Sequence, residues 1–388
     1  CEAMHYDYII VGAGLTGGIL ARELAEKRGK KVKIVERRNH IAGNTFDFED
    51  ERGIKVQKYG PHVFHTNIQK VYDYLCQFCE PIKYRTRCEV VIDGISTPSP
   101  FNFRTIDQFY DCEMGKALKK KLLEYYNYKS SVTIVEMLES KDKDIKTYAE
   151  FLFEKDYKLY TAKQWNLNPE EIDPSVLKRV PIVLSYCDSY FSDEYEFMPR
   201  GGFTKMYKKI VSHPNITIQL GEDALDHIAI DEINNKILYD GEKVQLIYTG
   251  AIDELFDYKY GTLPYRSLYF EFKSFPRENF QNVAIVAYPQ VEGYTRVTEY
   301  TKMPRQHCNG WTSVAYEFPV AYEKNIEIGN EPYYPVLTEQ SKKMYEKYSK
   351  YAKKIVNLTL CGRLAEFKYY NMDQVVSHAL KQFEEMEK

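Results

Sequence analysis

The sequence predicts an α/β protein in which a discontinuous Rossmann-like domain carries an inserted helical domain and an antiparallel β-sheet domain. Three observations carry that prediction. A short apolar, β-branched run, Tyr8 to Val11, leads directly into Gly12, Gly14 and Gly17 at G-x-G-x-x-G spacing. Thr105 to about Trp165 is rich in Leu, Lys, Glu and Tyr at helical periodicity. From Tyr265 to about Pro319, alternating segments dominate: SLYFEF, VAIVAY, YTRVTEY and WTSVAYEF, as strands with one buried face require.

In the first element, Tyr8 to Val11 reads as a buried parallel strand. Gly12 permits the tight turn, Gly14 lets the backbone approach a pyrophosphate, and Gly17 lets helix and strand pack closely. Ile19, Leu20 and Leu24 follow at helical spacing, and a second strand, Val32 to Val35, ends at Glu36. The positive end of the helix faces the phosphates, and Glu36 accepts the hydroxyls of an adenosine ribose. Strand, helix, second strand and acid in that order make a dinucleotide fingerprint more specific than the glycines alone. An acid at this position disfavours NADP and leaves NAD and FAD. Ala42, Gly43 and Asn44, in RRNHIAGNTFD, suggest a second close backbone approach to the same cofactor, which favours the extended FAD.

Further along, RCEVVIDGISTPSPFNF reads as a hairpin with an Asp-Gly turn and then a Pro-rich loop. Residues 170 to 200 mix Pro with β-formers, as loop plus strand. Phe203 to Ile210 is helical, and ITIQL and KVQLIYTG are short strands. Residues 338 to 357 form a helix, NLTLCGR a strand, and Asp373 to about residue 387 a final helix. These returns place the dinucleotide domain at 4–80, 200–254 and 335–388. The helical domain falls at 103–168, and the sheet domain at 81–102, 169–199 and 255–334.

Composition narrows the function. The 388 residues carry a net charge of −3 with acids and bases interspersed, so nucleic acid and anionic membrane surfaces are poor partners. No apolar run approaches the roughly 18 residues of a membrane span, and no secretory leader is visible. Cys1 to Ala3 read as a foreign remnant before a native Met4. Eight cysteines in a chain this long do not make a disulfide scaffold, and Cys76 and Cys79 form a C-x-x-C on a helical pattern with no second pair. A reducing, cytoplasmic setting follows. The 35 tyrosines either pack their rings inside with hydroxyls outward or line a pocket for a polar ligand with flat faces, such as a sugar nucleotide.

His62 and His65 in KYGPHVFHTN stand three apart, but Pro61 and the flanking β-formers argue for a loop and short strand, with no third ligand and therefore no metal site. That loop either places His62 against a flavin ring or holds both histidines as satisfied packing residues. Arg363 follows the late strand and can reach a cofactor diphosphate bidentately. The helix starting near Asp373 points its N-terminus at the cofactor. Arg179 and Arg296 each sit among apolar neighbours and need partners, either a carboxylate of this chain or a substrate diphosphate.

Taken together, YDYIIVGAGLTG, AGNTF, KYGPHVFHTN, YTAKQW, LKRVPI, LPYRSLYFEF, YTRVTEYTK and GRLAEFKYYNMDQ, in this order, resemble the bacterial type of UDP-galactopyranose mutase family over essentially the whole chain. The resemblance implies an isomerase that interconverts UDP-galactopyranose and UDP-galactofuranose with no net redox change. It further implies reduced FAD with flavin N5 as nucleophile at the sugar C1, a homodimer, and a supply of UDP-galactofuranose for cell-surface glycans. The resemblance makes Tyr160 the platform that stacks on uracil, with Tyr157, Thr161 and Trp165 around it. It gives the diphosphate to Arg179 and Arg296, the first on a loop that closes over substrate, and sets Tyr190, Tyr334 and Tyr369 against diphosphate or sugar. His62, Arg179, Arg296, Tyr334, Tyr369 and Asn371 are the implied catalytic set. To the cofactor set of Gly12, Gly14, Gly17, Glu36, Gly43, Asn44, His62 and Arg363 it adds Leu15, Thr16, Arg37, Tyr59, Gly60, Thr249, Gly250 and Met372. The chain departs from the family at Asn371, where the family carries Asp, and at Ala42, where Gly is common. Alternatives are a mutase acting also on UDP-N-acetylgalactosamine, an amine oxidase-like flavoenzyme, and a non-catalytic sugar-nucleotide sensor.

Overall fold

A computed structural model describes residues 5–386; the reading of Cys1 to Met4 lies outside them. The chain opens on strand Tyr8–Val11, helix Leu15–Arg28 and strand Val32–Glu36. The two strands are the centre of a five-stranded, all-parallel sheet. Its order is Ile216–Leu220, Val32–Glu36, Tyr8–Val11, Gln245–Tyr248 and Leu358–Leu360. Three distant stretches of sequence therefore build one sheet. Parallel neighbours need long crossovers, which is why everything between residues 36 and 216 can be inserted without breaking it. The final helix, Met372–Glu385, packs on helix Leu15–Arg28 and covers one face.

The second sheet has seven strands in the order Tyr334–Pro335, Tyr265–Phe275, Thr312–Ala321, Arg296–Glu299, Ile285–Ala287, Cys88–Ile92 and Ile95–Ser99. It is mixed rather than antiparallel throughout. Ile285–Ala287 runs parallel to Cys88–Ile92, because these strands come from remote parts of the chain and no hairpin fixes their direction. Asp93 (φ 48°) and Gly94 (φ 80°) form the expected two-residue turn of the hairpin. The strands expected within 169–199 do not join this sheet. Pro181–Val183 pairs with Ser131–Thr133 inside the helical region, and Tyr195–Pro199 pairs with Phe64–Thr66 and Pro81–Lys83.

Helices dominate 103–165. The last three segments run almost without a break: Lys143–Leu152, a π turn at Phe153–Tyr157, and Lys158–Trp165, stopped by Asn166 in the left-handed region (φ 53°). The π turn gives no periodicity signal of its own. A three-stranded meander over residues 228–243 was also not expected from the sequence.

Candidate active site

An elongated cavity of about 950 Å³ lies between the two sheets, at the upper end of the range for ligand pockets. The glycine turn forms one end. Gly12 adopts φ 112°, and a Cβ there would stand 2.1 Å from Thr249 Oγ1; one on Gly17 would stand 2.2 Å from the Gly12 carbonyl. Gly43 (φ 56°) comes so close that a Cβ would sit 2.8 Å from Gly14 Cα. Two bare backbone segments thus face each other at the cavity wall. Ala42 beside them holds φ 75° despite its Cβ.

Glu36 orders this turn, accepting from the Ala13 amide at 2.7 Å and the Arg38 amide at 3.2 Å. Arg37 pairs with Glu254 (3.3 Å) and Arg38 with Glu331 (2.5 Å), and Arg38 also stacks over Tyr59. Tyr59 is bonded to His40 Nε2 at 2.7 Å, and burial pushes its hydroxyl up to about 12.

The far end is built by His62, Arg296, Glu317, Tyr334, Arg363 and Tyr369. His62 is locked through its backbone: its amide donates to Gln57 Oε1 at 2.5 Å, and its Nδ1 stands 2.8 Å from the Gly60 carbonyl. A carbonyl only accepts, so Nδ1 carries the proton and Nε2 is left as an acceptor. Burial, reinforced by Arg363 and Arg296, lowers its pKa to about 4, so the ring is neutral. Arg296 Nε lies 2.9 Å from both Glu317 oxygens. Burial opposes its charge, but Glu317 more than compensates and holds it well above the usual arginine range. Arg363 is different. Burial lowers its pKa, and the partner of Nη1 is the Tyr333 carbonyl at 2.5 Å, with no carboxylate among the described residues paired to it. Tyr334 and Tyr369 stack at 6.3 Å, and Tyr369 and Tyr190 are 57% and 45% exposed, so they frame the mouth. Asn371 is the N-cap of the final helix, its amide donating to Gln374 Oε1 at 2.8 Å.

The cavity wall includes Gly12, Gly14, Leu15, Thr16, Glu36, Arg37, Gly43, Asn44, Tyr59, Gly60, His62, Thr249 and Gly250. It also includes Tyr190, Arg296, Tyr334, Arg363, Tyr369, Asn371 and Met372. Six expected positions stand outside it. Gly17 is a packing position. Tyr157 stacks edge-on against Phe101 at 5.4 Å. Thr161 is half-buried on the helix Lys158–Trp165, and Trp165 is exposed at its end. Arg179 is exposed on the turn before Pro181–Val183. Tyr160 lies behind the wall, its hydroxyl within electrostatic reach of Arg296, Glu317, Tyr334 and Tyr190. Sequence reasoning did not find Glu317. It faces Arg296 across two antiparallel strands, so only the register reveals it. Arg38, His40 and Glu331 were also not found.

A glycine cradle at one end and half-buried arginines behind a tyrosine-framed mouth at the other end of one cavity define the class, an α/β protein with a dinucleotide-type cradle. Residues 155–369 match the family profile described as UDP-galactopyranose mutase, and residues 10–78 match one described as an NAD(P)-binding Rossmann-like domain. A UDP-galactopyranose mutase from Mycoplasma pneumoniae is 33% identical over 98% of this chain and 96% of its own. A dTDP-fucopyranose mutase from Escherichia coli is also 33% identical, over 96% of both chains. A crystal structure of reduced UDP-galactopyranose mutase shares the fold, with a TM-score of 0.71 over 98% of this chain and 94% of that one at 18% identity. The chain belongs to the UDP-galactopyranose mutase family, a family of isomerases.

Proposed function

We propose that the protein is an FAD-dependent isomerase that interconverts UDP-galactopyranose and UDP-galactofuranose, the latter destined for surface glycans. The observation that carries this reading is Arg363, a half-buried guanidinium on the cavity wall whose Nη1, among the described residues, meets only a backbone carbonyl. Such a cation is costly unless an anion completes it, and a cofactor or substrate diphosphate does so. The residues present fit FAD. Gly12, Gly14 and Gly43 leave room for a pyrophosphate against bare backbone, and Gly60, His62 and Met372 line the same cavity of about 950 Å³, room enough for the rest of a dinucleotide. When bound and reduced, the flavin would supply the nucleophile for the anomeric carbon.

The chain's own residues do the rest. Arg296, aimed by Glu317, and Arg363 hold negative charge while the UDP–sugar bond is open, which keeps UDP at high effective concentration for return. Exposed Arg179 would join them when substrate is bound. Neutral His62 offers Nε2 as a hydrogen-bond acceptor and adds no positive charge. Tyr160 stands behind the wall and would have to turn its ring into the cavity to stack on the base, a contact worth roughly 1–3 kcal/mol. Tyr190 and Tyr369 shield the mouth from water.

The test is chromatography of UDP-galactofuranose after incubation with protein reduced by dithionite. Conversion to the pyranose is expected only in the reduced sample. Turnover by the oxidised protein would remove the reduced cofactor from the mechanism. Because the dTDP-fucopyranose mutase is as similar as the UDP-galactopyranose mutase, dTDP-fucose belongs in the same assay, beside UDP-N-acetylgalactosamine.

A further inference from the structure

Lys163 lies on helix Lys158–Trp165, three residues after Tyr160 and outside the cavity wall. Its ammonium donates to the carbonyl oxygens of Tyr288 at 2.8 Å, Val291 at 2.6 Å, and Tyr294. An ammonium has three N–H donors, and here each has a carbonyl on one loop. That loop, residues 288–294, links strand Ile285–Ala287 to strand Arg296–Glu299. One residue beyond it, the Thr295 amide donates to the Glu317 carbonyl at 2.8 Å, and Arg296 follows, bonded to the Glu317 carboxylate. A second contact fixes the same helix end: Arg266 Nε donates to the Gln164 carbonyl at 3.1 Å, and Arg266 is the cross-strand partner of Tyr334.

We infer that Lys163 is a positioning residue for the diphosphate site: it locks the loop 288–294 to the helix that carries Tyr160, and so sets where the Arg296 guanidinium stands relative to the Tyr160 ring. This rests on the reading of the site proposed above. A methionine of similar length supplies no donor. The planar fork of arginine does not bring three N–H groups to one point. The lock therefore requires lysine.

The experiment measures UDP affinity by equilibrium titration, and backbone hydrogen exchange, on the FAD-loaded protein. Lys163→Met is expected to weaken UDP binding by about tenfold, to raise KM far more than it lowers kcat, and to speed exchange across 288–296, with the flavin spectrum unchanged. In an Arg296→Lys background the same change should cost less than about twofold, because the lock acts through Arg296. Wild-type UDP affinity with wild-type exchange in Lys163→Met, or a full additive loss in the double variant, overturns the inference. Lys163→Arg keeps charge and bulk, so it folds where the methionine variant does not. It too must loosen the loop and weaken UDP, and wild-type behaviour in it counts equally against the lock. A wild-type protein that binds no UDP strikes at the reading of the site, whereas the exchange result tests the lock on the protein alone.

Discussion

The imidazole of His62 is neutral for reasons that can be separated. Burial strips the water that would solvate a charged ring, the Gly60 carbonyl works in the opposite direction, and the guanidiniums of Arg363 and Arg296 add to burial. The native ring takes up its proton only near pH 4, whereas the unfolded chain does so near 6.5. Between those values the unfolded state binds more protons, so stability is present above 6.5 and is lost as pH falls through this window. At roughly 1.4 kcal/mol per unit, the gap is worth about 3 kcal/mol. Urea unfolding at pH 7 and pH 4 should show His62→Asn losing less stability on acidification than the wild type, by a margin of that order. Equal losses would mean that the ring is solvated and free to titrate. Arg296 and Glu317 make a complementary point. Neither can be assigned to the other from sequence, since 20 residues separate them and only the antiparallel register makes them neighbours.

At the scale of elements, the N-terminus of helix Met372–Glu385 opens onto the cavity with Asn371 as its cap. An acid there would meet the positive end of the helix, worth about 0.3–1 kcal/mol, without altering the backbone. Asn371→Asp should therefore raise the melting temperature slightly and retain or raise turnover in the reduced enzyme. A large loss of kcat would show that the amide has a role a carboxylate cannot fill. The elements most legible in the sequence are those dictated by local geometry. The turn at Gly12 needs positive φ and clearance from Thr249, and the Asp93-Gly94 turn needs two left-handed residues, so each shows in its own dipeptide. Where non-local partners decide, legibility fails. Nothing within Cys88–Ile92 states that its neighbour is a parallel strand almost 200 residues away, and nothing within Pro181–Val183 names Ser131–Thr133 as its mate. The helix around Tyr160 was legible as a helix, but the contacts of its Lys163 reach a loop more than 120 residues on, which no local pattern announces.

For the whole molecule, the decisive feature is that the cavity wall draws on residues from Val11 to Val375. The parallel sheet is completed only when Leu358–Leu360 pairs with Gln245–Tyr248 and the last helix closes on Leu15–Arg28. A ligand that spans this cavity touches the first and last parts of the chain at once. It therefore binds the native state and has no counterpart in the unfolded one. If FAD is that ligand, mass action stabilises the protein by about 2.7 kcal/mol when free FAD stands a hundredfold above its Kd, and a melting shift of several degrees follows for a chain of this size. The shift should grow with the logarithm of FAD concentration. It should be accompanied by slower amide exchange in both Leu15–Arg28 and Met372–Glu385, because the cradle and the N-terminus of the last helix face the same chamber. A melting temperature indifferent to FAD would rule out the cofactor. Protection confined to the first helix would instead limit the ligand to the glycine end and remove the long chamber from the argument.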